Sequence, residues 1–227
     1  LFCNWLLILN TSLSACNTEV LLKTYQLFQL CCFCKYIPKN KINIIPNSLD
    51  LELFNNPLTF NYNKPLKLLF IGRLEYQKGL DILMEVLKIL SEEYKNLSFL
   101  VEIVGSGNLY DYVNDSINNL SLNKWVFLKK FSSEPIQNIL NSDIILHTSR
   151  YEGMSNVVLE GMACGKCVIS TYYTSGEIIT NNKDGILITK LDPRQIIDVL
   201  INLNKQRILL EKVGIEARNT IRSNFSD

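Results

Sequence analysis

Short apolar segments alternate with amphipathic segments along most of the chain. Leu66–Ile71 and Phe99–Val104 are largely apolar runs of strand length, and apolar residues recur every three or four positions from Leu80 to Leu90. The first pattern is typical of strands that are buried on both faces, and the second is typical of a helix with one buried face. The alternation therefore predicts an α/β fold, a doubly wound parallel sheet with helices on both faces.

The same patterns give bounds for the individual elements. We predict strands over 41–45, 66–71, 99–104, 125–128, 143–147, 167–170 and 185–188, and helices over 17–34, 80–90, 109–120, 134–141, 155–164, from 192 onward, and 205–222. Ligands of such sheets bind beyond the carboxyl ends of the strands. Candidate chemistry is therefore expected directly after Ile71, Val104, His147 and Ser170.

Composition and charge narrow the classes of function. Hydrophobic residues make up 47% of the 227 positions, and 23 Lys and Arg residues face 22 Asp and Glu residues, for a net charge of +1. The hydrophobic fraction is enough for a substantial core. A near-neutral chain lacks the basic surface that nucleic-acid binding usually needs, so we expect no nucleic-acid partner.

The cysteines and the first residues bear on the cellular compartment. Seven cysteines without regular spacing favour a reducing compartment over a disulfide scaffold. The apolar opening run, residues 1–9, is shorter than the roughly 20 residues of a spanning helix and lacks the basic start of a signal peptide. Because the first residue is Leu rather than Met, we expect the chain to begin inside a longer protein.

Two cations follow the first strand of the predicted sheet. Gly72 permits a tight exit from that strand, and Arg73 and Lys78 come next. A guanidinium offers a planar fork to phosphate oxygens and an ammonium offers a mobile point charge, so the pair could hold a phosphate group. Two solvated cations around an ordinary turn are the alternative.

The turn after the second strand is rich in glycine but gives a weaker indication. It reads Gly105-Ser106-Gly107, and Tyr110 stands where the dinucleotide fingerprint requires a third glycine. The fingerprint of nicotinamide enzymes is therefore not met. A plain turn between a strand and a helix explains this segment equally well.

The segment from 149 to 163 is the most informative one. Ser155 is a suitable N-cap, which places the amides of Asn156, Val157 and Val158 at the start of a helix. Helix-opening amides together with the helix dipole form an anion site. We therefore expect these three amides to face an anionic ligand.

Two carboxylates flank that helix start. Glu152 lies on the preceding loop and Glu160 lies within the second turn. Carboxylates repel phosphate but accept hydrogen bonds from sugar hydroxyls, so both fit recognition of a ribose or hexose. The alternative for Glu160 is a solvated helix residue, and His147, the single histidine, is expected to be a satisfied structural residue.

Several of these motifs, in this order, resemble the group 1 (family 4-like) retaining glycosyltransferases of the two-domain GT-B fold. The resemblance covers about residues 42 to 225. It rests on residues 44–50, on residues 70–73 with Lys78-Gly79, on residues 104–107, on Glu152 and Glu160 with seven residues between them, and on residues 162–165 and 176–179. The chain resembles the C-terminal, donor-binding domain of that fold.

The resemblance implies a role for each matching residue. Arg73 and Lys78 would neutralise the donor diphosphate and, with Glu152 beside the donor sugar, form the catalytic set. Gly72 and Gly105 would lie against the nucleotide. Glu160 would hold the ribose, and the amides of Asn156, Val157 and Val158 would contact the phosphates.

The resemblance also implies an activity. The protein would transfer a hexosyl group from a UDP- or GDP-sugar to a glycan or lipid-linked acceptor, with retention, in surface polysaccharide or glycolipid biosynthesis. No metal ion or other cofactor is expected, because the chain shows no cluster of metal ligands. The reaction would take place in the cytoplasm or on the cytoplasmic face of the membrane, with peripheral association through an N-terminal domain that is mostly missing here.

The domain organisation follows from the same resemblance. Residues 1–45 would be a remnant of the N-terminal acceptor domain, 46–65 a linker, 66–190 the nucleotide-sugar-binding domain and 191–227 C-terminal helices. The chain departs from the family pattern at two places: Cys167 stands where a proline is usual, and the glycine expected near Lys129 is absent. The spacing of Cys164 and Cys167 is attributed to coincidence rather than to redox or metal chemistry.

Three other functions stay open on the sequence. A non-catalytic nucleotide-sugar-binding module or truncated fragment would share the same motifs. An epimerase or phosphorylase of the same fold is less favoured, since no cofactor lysine environment or second sugar-nucleotide site is visible. A nicotinamide dehydrogenase is disfavoured by Tyr110.

Overall fold

The computed structural model describes residues 20–22, 42–44, 46–60, 62, 65–131 and 133–225. The chain divides into two compact units, Leu1–Ser48 and Leu49–Asp227. In the first unit, strands β1 (Val20–Leu22) and β2 (Ile42–Ile44) pair in parallel. The predicted strand over 41–45 is confirmed at β2. The predicted helix over 17–34 is wrong at β1, and its other residues lie outside the described ones.

The second unit is built on a six-stranded parallel sheet. Its strands are β3 (Leu66–Ile71), β4 (Phe99–Val104), β5 (Val126–Lys129), β6 (Ile144–His147), β7 (Cys167–Thr171) and β8 (Ile186–Ile188). Their spatial order is β5-β4-β3-β6-β7-β8, with every neighbouring pair parallel. This is the doubly wound order in which the chain starts at the centre, moves to one edge and returns to fill the other half. The predicted fold class is confirmed.

Seven helices connect and cover the described strands. They are α1 (Leu80–Glu93), α2 (Tyr110–Asn119), α3 (Pro135–Leu140), α4 (Asn156–Ala163), α5 (Tyr172–Ser175), α6 (Pro193–Lys205) and α7 (Ile208–Asn224). All but α5 match a predicted helix within a few residues. The four-residue α5 is too short to show an apolar period, and its sequence of two tyrosines and a threonine favours strand over helix.

Alternate residues of the central strand supply two hydrophobic cores, one on each face of the sheet. Leu68 and Phe70 of β3 pack in a cluster with residues of α1, α2 and α6. Leu69, between them, packs in a second cluster with residues of α4 and α7. Since successive side chains of a strand point to opposite faces, helices on both sides are needed to bury this strand.

Part of the predicted linker packs closely against the end of the chain. A short 3₁₀ turn over Leu51–Phe54 buries Phe54 in the second cluster. The guanidinium of Arg218 donates hydrogen bonds to the carbonyl oxygens of Asn56, at 2.8 Å, and Ala163, at 2.9 Å. The limits proposed for the N-terminal remnant, the linker, the nucleotide-sugar-binding domain and the C-terminal helices stay predictions.

Within the part of the chain that the structure describes, every helix is too short or too polar to cross a lipid bilayer.

Candidate active site

Two loops meet at the carboxyl edge of the sheet, at the point where the strand order reverses. We call residues 72–79 the β3 loop and residues 148–155 the β6 loop. Strands β3 and β6 are direct neighbours and run in the same direction, so the loops that follow them leave the sheet side by side. Such a switch point is where doubly wound sheets bind their ligands.

The two loops bring two predicted catalytic residues together. The Nζ atom of Lys78 lies 2.5 Å from the Oε1 atom of Glu152. Both side chains are largely buried, with 14% and 13% of their surface exposed. A cation and a carboxylate are thus held in contact, with little water around them, at the carboxyl edge of the sheet.

Close backbone packing fixes this contact. Gly79 has a φ of 66°, and a Cβ atom there would lie 2.1 Å from the carbonyl oxygen of Thr148. The hydroxyl of Thr148 donates to the carbonyl oxygen of Lys78 at 2.9 Å, and the Arg150 N–H donates to the carbonyl oxygen of Gln77 at 2.8 Å. Only glycine fits at position 79, because both the backbone conformation and the space exclude a side chain.

The side chain of Arg150 forms a second connection between the loops. Its guanidinium donates two hydrogen bonds to the Asp81 carboxylate, at 2.8 and 2.6 Å, and stacks 4.1 Å above the ring centre of Tyr76. Hydrogen bonding to Arg150 holds the pKa of Asp81 below its usual value. This cluster could not be predicted from the sequence, because a basic residue in one loop and an acid at a helix start carry no pairing signal.

The structure does not bring Arg73 into the Lys78–Glu152 pair. Its guanidinium lies 3.0 Å from the carboxylate of Glu75, and 55% of its side chain is exposed. An exposed arginine on a loop can change its partner at little cost, because such surface ion pairs are weak.

The two predicted glycines pack on each other beneath the loops. The Gly72 N–H donates to the carbonyl oxygen of Val104 at 3.0 Å, which extends the pairing of β3 and β4. A Cβ atom on Gly105 would lie 1.9 Å from the carbonyl oxygen of Gly72. Gly105 is therefore required for the close approach of two backbones at this edge.

Helix α4 begins directly after the β6 loop. Ser155 has extended dihedral angles as the N-cap, but its hydroxyl makes no capping hydrogen bond. The first N–H with a helical acceptor is that of Leu159, which donates to the Ser155 carbonyl oxygen at 3.2 Å. The amides of Asn156, Val157 and Val158 come before it, at the start of the helix, where N–H groups point out along the helix axis. The predicted anion-binding amides thus begin four residues after Glu152 in the chain.

Glu160 is half-buried on the same helix, so a fully solvated residue is excluded. Burial raises the pKa of Glu160 above its usual value. Among the described residues, none donates a hydrogen bond to its carboxylate. A desolvated carboxylate without a partner is a strong acceptor for hydroxyl groups.

His147 differs from its predicted role as a satisfied structural residue. Its Nδ1 atom lies 2.8 Å from the hydroxyl oxygen of Ser170, which satisfies one ring nitrogen. Its Nε2 atom is buried, has no hydrogen-bond partner among the described residues, and lies 3.8 Å from Oε1 of Glu152. Burial, reinforced by the charge of Lys78 and opposed by that of Glu152, lowers the pKa of His147 to about 4.

The two cysteines of the described region are free and buried. Burial raises the pKa of Cys164 to about 11 and that of Cys167 to about 12, so both thiols are protonated and poorly reactive. In the ranges covered by the structure, no group of three or more His, Cys, Asp or Glu side chains could hold a metal ion.

Several known proteins are similar to this chain in sequence and in fold. A poly(ribitol-phosphate) α-N-acetylglucosaminyltransferase of Staphylococcus aureus is 26% identical over 186 residues, which cover 81% of this chain and 37% of that protein. A UDP-Gal:α-D-GlcNAc-diphosphoundecaprenol α-1,3-galactosyltransferase of Escherichia coli is 28% identical over 228 residues, which cover 93% of this chain and 57% of that protein. This chain therefore spans only about half the length of such relatives, or less.

A solved structure and a family model agree with these similarities. The crystal structure of S. aureus TarM superposes with a TM-score of 0.80 at 25% identity, covering 92% of this chain and 41% of TarM. The sequence model of the family described as "Glycosyl transferases group 1" matches residues 57–220, which is well over half of the chain. That range includes both loops, helix α4 and the whole sheet. The chain belongs to the group 1 glycosyltransferases.

Proposed function

We propose that the protein containing this chain transfers a hexosyl group from a nucleotide-diphosphate sugar to a glycan or lipid-linked acceptor, with retention of anomeric configuration. The relative from E. coli is named for a UDP-galactose donor and a diphosphoundecaprenol acceptor, and the relative from S. aureus is named for a poly(ribitol-phosphate) acceptor. These names support a role in the synthesis of a surface polysaccharide or glycolipid. The nucleotide that we propose is UDP or GDP.

The Lys78–Glu152 pair at the switch point carries this proposal. Breaking the bond between a sugar and a diphosphate leaves negative charge on the departing oxygen, which fixed cations and amides stabilise best where water is scarce. Lys78 is largely buried, Arg73 is exposed nearby in the same loop, and the amides at the start of α4 come directly after the β6 loop. These groups would replace a metal ion at the diphosphate.

The carboxylates of Glu152 and Glu160 would accept hydrogen bonds from hydroxyl groups on either side of the diphosphate. Glu152 would accept hydrogen bonds from the donor sugar once Lys78 contacts phosphate. Glu160, half-buried and without a described donor, would accept hydrogen bonds from the ribose. The different surroundings of these two acids support the different roles that we assign to them.

Retention would follow from attack on the face from which the diphosphate departs. The bond from the anomeric carbon to the diphosphate oxygen breaks, the bond to the acceptor oxygen forms, and the acceptor proton passes to the departing diphosphate oxygen. Lys78 and Arg73 would hold that oxygen throughout. We place the reaction in the cytoplasm or at the cytoplasmic face of the membrane, because the free thiols of Cys164 and Cys167 fit a reducing compartment.

Calorimetric titration of the 227-residue chain with UDP- and GDP-sugars tests donor binding. We expect saturable binding of one nucleotide series without added metal, and unchanged affinity in the presence of a chelator. A folded chain that binds neither series would contradict the proposal.

Transfer is tested on the whole protein from which the chain comes. Mass spectrometry of acceptor mixtures would detect the product, and the coupling constant of its anomeric proton would show whether configuration is retained. Inversion would refute retention. Binding without any transfer would favour the alternative of a non-catalytic nucleotide-sugar-binding module.

A further inference from the structure

The buried histidine beside the ion pair has one ring nitrogen without a hydrogen-bond partner among the described residues. His147 ends β6 and is aligned with Ser170 on β7, which explains the contact between Nδ1 and the serine hydroxyl. Nε2 faces Glu152, and 3.8 Å separates it from the same Oε1 atom that contacts Lys78. Buried polar atoms without a partner are uncommon, so this one calls for an explanation.

The neighbours of the ring determine which nitrogen carries its proton. With a pKa of about 4, His147 is neutral at pH 7 and has a single N–H. A proton on Nε2 would face the Glu152 carboxylate favourably, whereas a proton on Nδ1 would leave the Nε2 lone pair facing a negative oxygen. The Ser170 hydroxyl can donate to Nδ1, because its own oxygen has a possible donor in the hydroxyl of Ser175 at 2.8 Å.

We propose that His147 is a positioning residue whose Nε2–H holds the Glu152 carboxylate when Lys78 turns to the donor diphosphate. This inference rests on the proposed function. Before the donor binds, Lys78 compensates the charge of Glu152. When Lys78 contacts phosphate, a largely buried carboxylate loses its cation, which is costly unless another donor takes over. A shift of about 1 Å brings Nε2 and Oε1 to hydrogen-bond distance.

The protonation of the ring is measured directly, because the chain contains a single histidine. Proton–nitrogen correlation spectra of the ¹⁵N-histidine-labelled chain at pH 7 distinguish the two neutral tautomers. We expect the proton on Nε2 in the native chain and a mixture of tautomers in Ser170→Ala. A proton on Nδ1, or a charged ring, would overturn the role of His147, whatever the nucleotide affinity of the chain.

Two substitutions then test the exchange of partners. His147→Gln places an amide N–H near the position of Nε2, whereas His147→Leu fills the space without a donor. We expect affinity for UDP or GDP, measured by calorimetry, to fall roughly ten-fold in the leucine variant and to stay within about three-fold in the glutamine variant. Melting temperatures of both variants would show that they are folded.

The outcomes separate this inference from the proposed function. Equal affinities of the two variants would overturn the role of the Nε2–H even if the native chain binds nucleotide. Failure of the native chain to bind either nucleotide would overturn the proposed function, and with it the exchange of partners. The tautomer of His147 would in that case say how its ring is held in the folded chain, and nothing about nucleotide binding.

Discussion

The β3 loop carries two cations that form ion pairs of similar geometry in very different surroundings. Lys78 lies 2.5 Å from Glu152, and Arg73 lies 3.0 Å from Glu75. The first pair is largely buried, with at most 14% of either side chain exposed, whereas 55% of the Arg73 side chain and 35% of the Glu75 side chain are exposed. Arg73 and Lys78 are only five positions apart, yet the ion pair of Lys78 is shielded from water and that of Arg73 is in contact with it.

The difference shows which cation can change partners freely. An exposed pair is screened by water and salt and is worth about 0–1 kcal/mol, so Arg73 can leave Glu75 for a ligand at little cost. A largely buried pair leaves an uncompensated charge when one member departs, which costs several kcal/mol. Lys78 can therefore move only if Glu152 gains another donor.

Removing the buried cation should have the largest effect. In Lys78→Met we expect affinity for the nucleotide diphosphate to fall about 100-fold, because a charge-assisted contact is lost. The free energy of unfolding should also fall by roughly 2–3 kcal/mol, since Glu152 keeps its charge but loses its cation and is left with only the neutral His147 as a possible donor. Calorimetry and urea unfolding measure the two quantities.

Two further variants make this prediction specific. The double variant Lys78→Met with Glu152→Gln should regain most of the lost stability but not the affinity. Lys124→Met, in which an exposed lysine precedes β5 at the opposite end of the sheet, should match the native chain in both measurements. Equal stability of the single and double variants would show that the Glu152 charge costs nothing once Lys78 is gone, contrary to this prediction.

The contact of Arg150 with Asp81 gives a smaller expected effect on affinity than the loss of Lys78. Asp81→Asn weakens the two hydrogen bonds that Asp81 accepts from Arg150. This should loosen the β6 loop and lower nucleotide-sugar affinity about five-fold. The matched control is Glu93→Gln, because Glu93 accepts the same two-bond contact from Arg194 but joins α1 to α6, whereas Asp81 joins α1 to the β6 loop. The control should bind like the native chain, and a similar loss in both variants would contradict a specific role of Arg150.

Glu160 differs from Glu152 and Glu75, because it forms no ion pair with any residue that the structure describes. Because burial raises its pKa, the folded state resists its deprotonation more than the unfolded chain does. The resulting destabilisation is absent below the unfolded pKa of glutamate, about 4.3, and is complete above the folded pKa. Glu160→Gln should therefore melt above the native chain at pH 7, with the difference vanishing as the pH falls toward 4.

The same variant should lose function while it gains stability. We expect roughly ten-fold weaker nucleotide binding, because a neutral amide is a poorer acceptor for ribose hydroxyls than a carboxylate. Calorimetry at pH 7 measures this change. Lower melting temperature together with native affinity would refute the assigned role.

The exposed pair should give the smallest effect. Glu75→Gln releases Arg73 from its carboxylate, and we expect nucleotide affinity to rise by less than about three-fold, with the gain disappearing in high salt. Titrations at low and high ionic strength test this. A gain that persists in high salt would mean that the Arg73–Glu75 pair is not screened as its exposure suggests.

The succession of strands and helices along the chain, and the edge of the sheet that carries the chemistry, could be predicted from the sequence. The apolar runs of β3 and β4 are dictated by burial on both faces, and the N-cap at Ser155 is a local feature of a few neighbouring residues. The strand at β1 and the four-residue α5 were not predicted. Both are so short that a pattern of alternating or periodic positions cannot form within them.

The pairing of side chains could not be predicted in the same way. Lys78 and Glu152 were both predicted, but their mutual contact was not, nor were the roles of Arg150, Asp81 and Ser170. These residues are separated by tens of positions in the chain. Their encounter depends on which strands become neighbours and on the close approach of the two loops.

The sequence alone determined the doubly wound fold and the set of residue types at its carboxyl edge, because hydrophobic period and helix capping act over a few neighbouring residues. Only the tertiary structure decided that Lys78 is shielded with Glu152 while Arg73 lies in water with Glu75, and that one nitrogen of His147 finds no partner in the described part of the chain. Burial, and with it the strength of every charge, arises when segments distant in sequence exclude water together.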